Sequence, residues 1–181
     1  MIKKEFVHMP SKEDTTPNVK QQIISAAIQL FAENGYYKTT TTSIANAVGV
    51  SQPYLFHFFK KKEDLYLTVL DQAKQRVIQT FKDVNSPPSK LKESMGNTFN
   101  YLLDQHRNEI LLAMTTHTIA EPVIREAVRN SFDEVHESLR QKFKQAGFPN
   151  PRQEANYFLG EGLLIALAET INLPKLLPKY R

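Results

Sequence analysis

The residues best suited to bind another molecule are concentrated between Thr39 and Lys62, in the segment TTTTSIANAVGVSQPYLFHFFKKK. Hydroxyl groups and main-chain N–H groups at a helix start bind phosphate, a glutamine side chain pairs with adenine, and lysines neutralise a phosphate backbone. The segment therefore predicts binding to double-stranded DNA. The candidate DNA-contacting residues are Thr40, Thr41, Thr42, Ser51, Gln52, Pro53, Tyr54, His57, Lys61 and Lys62.

The spacing of capping and turn-forming residues in this segment predicts two short helices joined by a tight turn. Thr40 is the predicted N-cap of the first helix, and Gly49 supplies the sharp turn that follows it. Ser51 is the predicted cap of the second helix, and Pro53 fits its first turn, where a missing N–H is tolerated. The second helix, residues 52–59, would enter the major groove with its N-terminal residues leading.

The side chains of this second helix divide into candidate DNA contacts and candidate core residues. Gln52 suits an adenine edge, Tyr54 suits a phosphate or a thymine methyl group, and His57 follows on the same outward face. Lys62 is the best placed of three lysines to hold a phosphate. Packing is the main role predicted for the phenylalanines Phe56, Phe58 and Phe59. A structural explanation stays open for the others, since the tyrosine could pack, the threonines could fill a turn and the lysines could be a solvated surface.

The net positive charge of the chain comes entirely from its first third. The formal net charge is +4. Residues 1–62 contain eight lysines and four acidic residues, whereas residues 63–181 contain 15 basic and 15 acidic residues. This asymmetry is expected if the first third contacts a polyanion, although a solvated basic surface would give the same count.

Apolar residues at helical spacing continue along the chain and predict an all-α fold of about eight or nine helices. We expect an N-terminal three-helix helix-turn-helix domain, followed by a longer helical domain. The predicted helices span 18–34, a short stretch after Thr40, 52–59, 63–84, 89–106, 108–119, 122 to just before Gly147, and 152–171. The predicted divisions are a flexible N-terminal arm (1–17), the helix-turn-helix domain (18–62) and the helical domain (63–181).

Several function classes are disfavoured by the composition. The chain has no cysteine, so it has no disulfide framework and no thiolate chemistry. Residues 1–17 lack the apolar segment of a secretory signal, and no apolar run approaches the roughly 20 residues of a membrane span. We therefore expect a cytoplasmic protein that does not associate with membranes.

Enzymatic chemistry also finds little support. No glycine-rich phosphate loop, nucleophile elbow or helical zinc motif is present. The five histidines have no metal-ligand spacing: His8, His57, His106, His117 and His136. Glu161 and Glu169, in an apolar helix, are better explained by ion pairs or exposure to solvent than by buried acid chemistry. The sequence thus predicts no catalytic residue, no cofactor and no metal site.

Residues 23–65 resemble the TetR family of bacterial transcriptional regulators. The family pattern is an apolar first helix, Gly-aromatic, a threonine-rich cap, a helix-turn-helix and Lys-Glu-x-Leu. The matching positions are Ala27, Leu30 and Phe31, Gly35 and Tyr36, Thr39 and Thr40, Ile44 and Ala45, Val48 to Ser51, Phe56 to Phe59, and Lys62 to Leu65. The family's usual recognition-helix tyrosine is Phe56 here, and the polar or aromatic residue two positions later is Phe58, so two possible phosphate contacts are missing. Gln52 and Pro53 look like the tetracycline repressor branch.

The resemblance implies a ligand-responsive regulator, most often a repressor, that acts as a homodimer and is released from DNA by a small molecule. The eighth predicted helix has little polar surface, which agrees with a dimer interface. The candidate interface residues are Phe158, Gly162, Leu163 and Ala166. The candidate lining of a pocket for an apolar or amphipathic effector is Met95, Phe99, Met114, His117, Phe132 and Tyr157. Ordinary packing within the monomer is the alternative for both sets.

Two-fold symmetry would match a palindromic operator, with the recognition helices about 34–36 Å apart or somewhat more. Effector binding would act through the fourth helix, which begins after Lys62, by changing the separation of the two recognition helices. A helical adaptor with a degenerate helix-turn-helix is the alternative function. Salt-sensitive, sequence-selective DNA binding separates the regulator from the adaptor.

Overall fold

The computed structural model describes residues 12–177, and it describes their side chains from residue 18 onward. This part of the chain is helical and contains no β-strand, which confirms the all-α prediction. The α-helices are α1 (Lys12–Lys38), α2 (Thr41–Val48), α3 (Gln52–Phe58), α4 (Lys62–Asp83), α5 (Leu91–Gln105), α6 (Arg107–Thr115), α7 (Pro122–Gln145) and α8 (Pro151–Thr170). Short 3-10 turns occur at Pro88–Lys90, Thr116–Thr118 and Pro174–Leu176. None of the helices within residues 12–177 is long and apolar enough to cross a membrane.

The first helix begins earlier than predicted. Residues 12–17, which we assigned to a flexible arm, form the first turns of α1. This polar stretch has no apolar residues at helical spacing, so the pattern did not predict a helix here, although Lys and Glu favour helix. Residues 1–11 of the predicted arm, including His8, lie outside the described residues. The other helix ends differ from prediction by a few residues, mainly where a 3-10 turn replaces the last or first α-helical turn.

One hydrophobic core joins the first three helices to the body of the protein. Its fully buried side chains include Ile23, Phe31, Ile44, Leu55 and Leu65. The same core takes in Leu112, Ile119 and Ile124 from α6, α7 and the segment between them. The core therefore crosses the predicted boundary at residue 62, and α4 belongs to both halves of the molecule.

A second core lies between α4, α5, α6, α7 and α8. Its aromatic side chains contact one another edge to face or stacked: the Phe81 ring centre lies 5.2 Å from that of Phe158 and 6.2 Å from that of Phe99. Phe143 and Met95 are fully buried beside them. Because such ring contacts fix side-chain positions, this core is a firm framework around any space that it encloses.

Lys62 locks the turn between α1 and α2. Gly35 interrupts α1 with φ 75° and ψ 167°, a conformation that glycine adopts readily. The Thr39 hydroxyl then donates to the carbonyl oxygens of Leu30 and Gly35, at 2.9 Å each. The Lys62 ammonium donates to the carbonyl oxygen of Tyr36 at 2.9 Å and to that of Thr39 at 3.2 Å. The start of α4 is thereby fastened to the turn that precedes α2.

Tyr36 makes the stability of the folded protein depend on pH in the alkaline range. Burial, and after it the negative charges of Glu63 and Glu121, raises the pKa of Tyr36 from 10.0 to about 12. The unfolded chain loses this proton near pH 10, whereas the folded chain keeps it until about pH 12. The native state therefore binds more protons than the unfolded state in this window, and stability falls as the pH rises through it.

We expect Tyr36→Phe to flatten the fall of the free energy of unfolding between pH 10 and pH 12, the interval set by the two pKa values. The full effect is about 3 kcal/mol, since each pKa unit corresponds to about 1.4 kcal/mol. Urea denaturation at a series of pH values measures it. Tyr101→Phe, at a strongly exposed tyrosine of α5, is the matched control and should follow the wild-type curve. If the free energy of unfolding falls with pH equally steeply in Tyr36→Phe and wild type, other groups cause the loss of stability at alkaline pH.

Candidate nucleic-acid interface and ligand cavity

The predicted turn between α2 and α3 is present, and its hydrogen bonds explain it. The Thr40 hydroxyl accepts from the Ser43 N–H at 3.0 Å, and the Ser43 hydroxyl accepts from the Thr40 N–H at 3.2 Å. Gly49 adopts the left-handed conformation, with φ 74° and ψ 27°. The Ser51 hydroxyl caps α3 by accepting from the Tyr54 N–H at 3.3 Å. These contacts confirm the predicted helix starts and the turn glycine.

The burial of Leu55 and Phe59 determines which side of α3 faces outward. Both side chains are at most 4% exposed, so the opposite side of this short helix is left to solvent. We call this side the recognition face; it consists of Gln52, Pro53, Tyr54, Phe56 and His57. Four of these residues are exposed and Gln52 is half-buried at the edge. The structure thus places the predicted base-contacting side chains together on an accessible surface.

Two predicted DNA contacts on different helices touch each other. The Gln52 side-chain amide donates to the Thr41 hydroxyl at 2.8 Å. The donor nitrogen of Gln52 is thereby oriented from α2, and its amide oxygen faces away from this bond. A side chain held in this way loses less freedom when it pairs with a base than an unrestrained one. Thr42 and Thr40 lie exposed at the start of α2, where the first-turn N–H groups lack intrahelical acceptors.

Phe56 differs from its predicted role. We assigned it to packing, but its side chain is 40% exposed. It lies four residues after Gln52 and therefore on the same side of α3, while Leu55 and Phe59 occupy the inner side. Because phenylalanine is apolar, the sequence suggested that Phe56 is buried. The orientation of α3 about its axis, which the sequence does not give, places this side chain on the outer face. Phe58 is half-buried and Phe59 is buried, as expected.

The lysines after α3 have different environments. Lys60 and Lys61 are exposed, whereas Lys62 is half-buried in the α1–α2 junction. Its ammonium also lies 4.2 Å from the centre of the Tyr36 ring. Two of its three N–H donors bind main-chain oxygens. Lys62 therefore has a structural role in holding the α1–α2 turn. A phosphate contact from its third N–H donor stays a prediction.

A cavity of about 90 Å³ lies within the second core. Phe99, Met114 and Phe132 line it, as proposed for the pocket. Met95 is fully buried in the core beside the cavity and is not part of its wall. His117 and Tyr157 lie on the surface of the protein, away from the cavity. The sequence assigned Met95, His117 and Tyr157 to the wall because residue type does not show which way a helical side chain points.

Three of the four candidate dimer residues lie on the inner side of α8, and the fourth, Leu163, lies at its edge. Ala166 is buried, Leu163 is half-buried, and Phe158 and Gly162 line the cavity. The outer side carries other apolar residues, which we call the α8 outer stripe: Tyr157, Gly160, Leu164, Leu167 and Ile171. Its four large members are 61%, 41%, 47% and 54% exposed. The five residues, Gly160 included, recur at alternating spacings of three and four residues, the pattern by which one helix packs along another. The prediction that α8 carries an apolar surface therefore applies to a different side of the helix.

The two acidic residues considered for acid chemistry have simpler roles. The Glu169 carboxylate accepts a hydrogen bond from the Arg107 guanidinium at 3.0 Å. Glu161 is exposed at the edge of the cavity. No group of three acidic or histidine side chains suited to a metal ion occurs within the part of the chain that the structure describes.

Two tyrosines connect α1 and α4 to the segment that follows α6. The Tyr66 hydroxyl of α4 bonds to the Thr116 hydroxyl at 2.9 Å in a buried contact. Thr116 itself donates to the Leu112 carbonyl oxygen at 2.6 Å, so Tyr66 is the donor to Thr116. The Tyr37 hydroxyl donates to Glu121 at 2.6 Å and accepts from the Ala120 N–H at 3.1 Å. These bonds hold α1 and α4 against the segment that joins α6 to α7.

We expect Tyr66→Phe to lower the free energy of unfolding by about 1 kcal/mol, the net value of one buried hydrogen bond. Thr116 keeps its bond to Leu112, so the change leaves no donor unpaired. Chemical denaturation measures the loss, and Tyr101→Phe on the exposed surface of α5 should show none. Equal stabilities for Tyr66→Phe and wild type would mean that this contact does not fasten the two halves.

An exposed recognition helix, braced by two helices and continued by a helical body, defines the helix-turn-helix class of DNA-binding proteins. Residues 23–69 match the family model described as "Bacterial regulatory proteins, tetR family". The helix-turn-helix region of this chain is thus that of the TetR family, as its motifs predicted.

Curated relatives agree with this assignment over about half of the chain. The HTH-type transcriptional regulator HbdR of Aromatoleum sp. (strain CIB) is 35% identical over 98 residues, which are 52% of this chain and 42% of that protein. The fatty acid metabolism regulator protein of Bacillus subtilis (strain 168) is 30% identical over 94 residues, 50% of this chain and 48% of that protein. The matched region thus spans less than half the length of these relatives. Their names are those of regulators, not of enzymes.

Solved structures extend the likeness to the whole fold. FadR from Bacillus subtilis in complex with stearoyl-CoA has a TM-score of 0.71 and 19% identity, over 84% of this chain and 87% of that chain. AibR in complex with isovaleryl-CoA and operator DNA has a TM-score of 0.66 and 21% identity, over 82% and 86%. At these identities the likeness establishes the fold, including the helical body after α4.

Proposed function

We propose that this protein is a ligand-responsive transcriptional repressor that binds a palindromic operator as a homodimer. The observation that carries the proposal is the path of α4. Its first residue, Lys62, holds the α1–α2 turn, and further along the same helix Leu70, Val77 and Phe81 form part of the cavity wall. One continuous helix thus contacts both the DNA-binding unit and the cavity.

This path provides a mechanism for release. A ligand that enlarges or tightens the cavity changes the packing of the second half of α4. Because α4 is helical from Lys62 to Asp83, it transmits such a change as a tilt or shift rather than absorbing it. The first half of α4 is buried in the core of the DNA-binding unit through Leu65 and Tyr66. The recognition helices of a dimer would then move relative to each other and lose their match to the operator.

The α8 outer stripe is the proposed dimer interface. Large apolar side chains at heptad-like spacing favour a helix–helix contact, and Gly160 in the middle of the stripe permits a close approach. A second copy related by two-fold symmetry would present the same stripe. Two-fold symmetry is also what a palindromic operator requires, and action on an operator would place the protein in the cytoplasm.

The proposed effector is an apolar or amphipathic small molecule. The cavity wall consists almost entirely of aliphatic and aromatic side chains, with Lys74, Ser131 and Glu161 as its polar side chains. Two solved structures with this fold hold acyl-CoA compounds, which makes acyl compounds the first class to test.

A mobility-shift assay with DNA from upstream of the gene tests the function. We expect selective binding whose affinity falls linearly with salt on logarithmic scales, and release when an effector is added. Binding that does not distinguish this DNA from random duplex would favour the helical adaptor.

Phe56 is predicted to contact a thymine methyl group. An exposed phenylalanine on the recognition face has no hydrogen-bonding atom, and the methyl group is the apolar feature of the major groove. Replacing the contacted thymine by deoxyuridine removes that methyl group alone. We expect this change to weaken wild-type binding about fivefold, equivalent to about 1 kcal/mol.

In Phe56→Ala the same change should have no further effect, so the two losses should not add. Fluorescence anisotropy on a duplex selected in vitro measures both, and deoxyuridine in the flanking sequence is the control. If no thymine in the half-site depends on Phe56, the residue faces the phosphate backbone or solvent instead.

A further inference from the structure

The size and charge of the cavity restrict what it can hold. Its volume is about 90 Å³. An apolar cavity of about 150 Å³ is known to bind benzene, which has six carbon atoms. By proportion, this cavity fits about four carbon atoms without rearrangement. A long acyl chain would need several times the space.

The walls differ in how easily they yield. Phe81, Phe99 and Phe158 hold one another through ring contacts, so enlarging the cavity on their side would break several contacts at once. Met114 is different, because an unbranched methionine adapts its shape at little cost. Its terminal methyl group rests on Gly162, and a Cβ atom added to that glycine would lie 3.2 Å from it. Met114 and Gly162 together therefore set the length of the cavity.

The lysine on the cavity wall is already paired with two carboxylates, so it does not offer a free charge to an anion. The Lys74 ammonium lies 2.9 Å from a carboxylate oxygen of Asp71 and 2.9 Å from one of Glu134. Burial works against its charge, but the hydrogen bonds to these two carboxylates outweigh that effect and raise the pKa of Lys74. Glu161 adds a carboxylate, and not a cation, to the same wall. A buried anionic group would therefore meet an apolar wall whose lysine is already paired, and it would lose its hydration without compensation.

We propose that the cavity selects an uncharged, short, branched or cyclic hydrocarbon group of about four to six carbon atoms, with Met114 against Gly162 as the limit on its length. The upper figure allows for retraction of the methionine side chain. This inference rests on the proposed function, in which the cavity is the effector site. It assigns the buried part of the effector: any charged portion of the molecule stays outside the cavity.

Primary alcohols are suitable probes because they are uncharged and vary only in their hydrocarbon part. Calorimetric titration of the full-length protein with linear and branched alcohols from butanol to dodecanol gives affinity against chain length. We expect a maximum at about four to six carbons and at least a tenfold loss by ten carbons. Isovalerate, an anion of similar size, should bind at least tenfold more weakly than isopentanol.

Two variants test the assigned limit. Met114→Ala removes three heavy atoms and should move the maximum by about three carbons toward longer chains. Gly162→Ala places a methyl group 3.2 Å from the terminal methyl group of Met114 and should move the maximum toward shorter chains, because it pushes the methionine toward the cavity. Met95→Ala, at a buried methionine outside the wall, is the matched control and should leave the preferred length unchanged.

Affinity that keeps rising beyond ten carbons in the wild type would overturn the proposal, as would a preferred length that is the same in Met114→Ala and wild type. Binding of isovalerate equal to that of isopentanol would overturn the assignment of an uncharged group. These measurements involve no DNA, so their failure is separate from that of the proposed function, which the mobility-shift assay tests.

Discussion

The double variant Gln52→Ala/Tyr54→Ala is expected to lose operator selectivity at least 100-fold. Gln52 has its amide held by Thr41 at 2.8 Å, and Tyr54 is 40% exposed on the same face of α3. A well-oriented base contact contributes about 1–3 kcal/mol of discrimination. Losing two such contacts should bring operator affinity close to that for random DNA.

Non-selective binding should survive in this variant, because the lysines near α3 remain. Fluorescence anisotropy on operator and on scrambled duplex, at two salt concentrations, separates the two effects. Tyr101→Ala/Gln105→Ala is the matched control, since it removes the same residue types from an exposed part of α5. Selectivity that persists in the double variant would refute the assignment of these two residues.

The second large effect is expected from the α8 outer stripe. Leu164→Glu/Leu167→Glu places two carboxylates in the middle of the proposed interface, where like charges would meet across the two-fold axis. Since both leucines are more than 40% exposed in the monomer, the change should not disturb the core of a single chain. We expect a folded monomer by light scattering.

Operator affinity should fall at least 100-fold in the same variant, because a monomer occupies one half-site and loses the second contact set. Tyr101→Glu introduces the same charge at an exposed apolar residue of α5 and should remain dimeric. If the leucine variant also remains a dimer, another surface joins the two copies.

The helix-turn-helix could be predicted from sequence because its signals are local. Thr40, Gly49 and Ser51 act within three or four residues of their own positions, and each does in the structure what its residue type predicts. The all-α fold was predictable for a related reason, since apolar spacing repeats within each helix. The helical conformation of residues 12–17 was not predicted, because this polar stretch has no apolar residues at helical spacing.

The sites on the longer helices were harder to predict because their geometry depends on rotation. Leu164 and Ile165 are neighbours in sequence, yet the first is 41% exposed and the second is 2% exposed. In an apolar helix such as α8 the sequence does not show which side meets the core, so the residues chosen from sequence and the exposed apolar stripe lie on different sides of the helix. Phe56 was misassigned for the same reason. Lys62 illustrates a different limit, since its bonds to Tyr36 and Thr39 join residues more than 20 positions apart.

The central claim, that α3 reads DNA in a symmetric pair, is tested most directly by selection from a pool of random 30-base-pair duplexes. We expect enrichment of one two-fold symmetric sequence, with half-sites about one helical turn apart or somewhat more. Bound fractions should also fall steeply with salt. A pool that remains random after repeated rounds, or a selected sequence without two-fold symmetry, would contradict it.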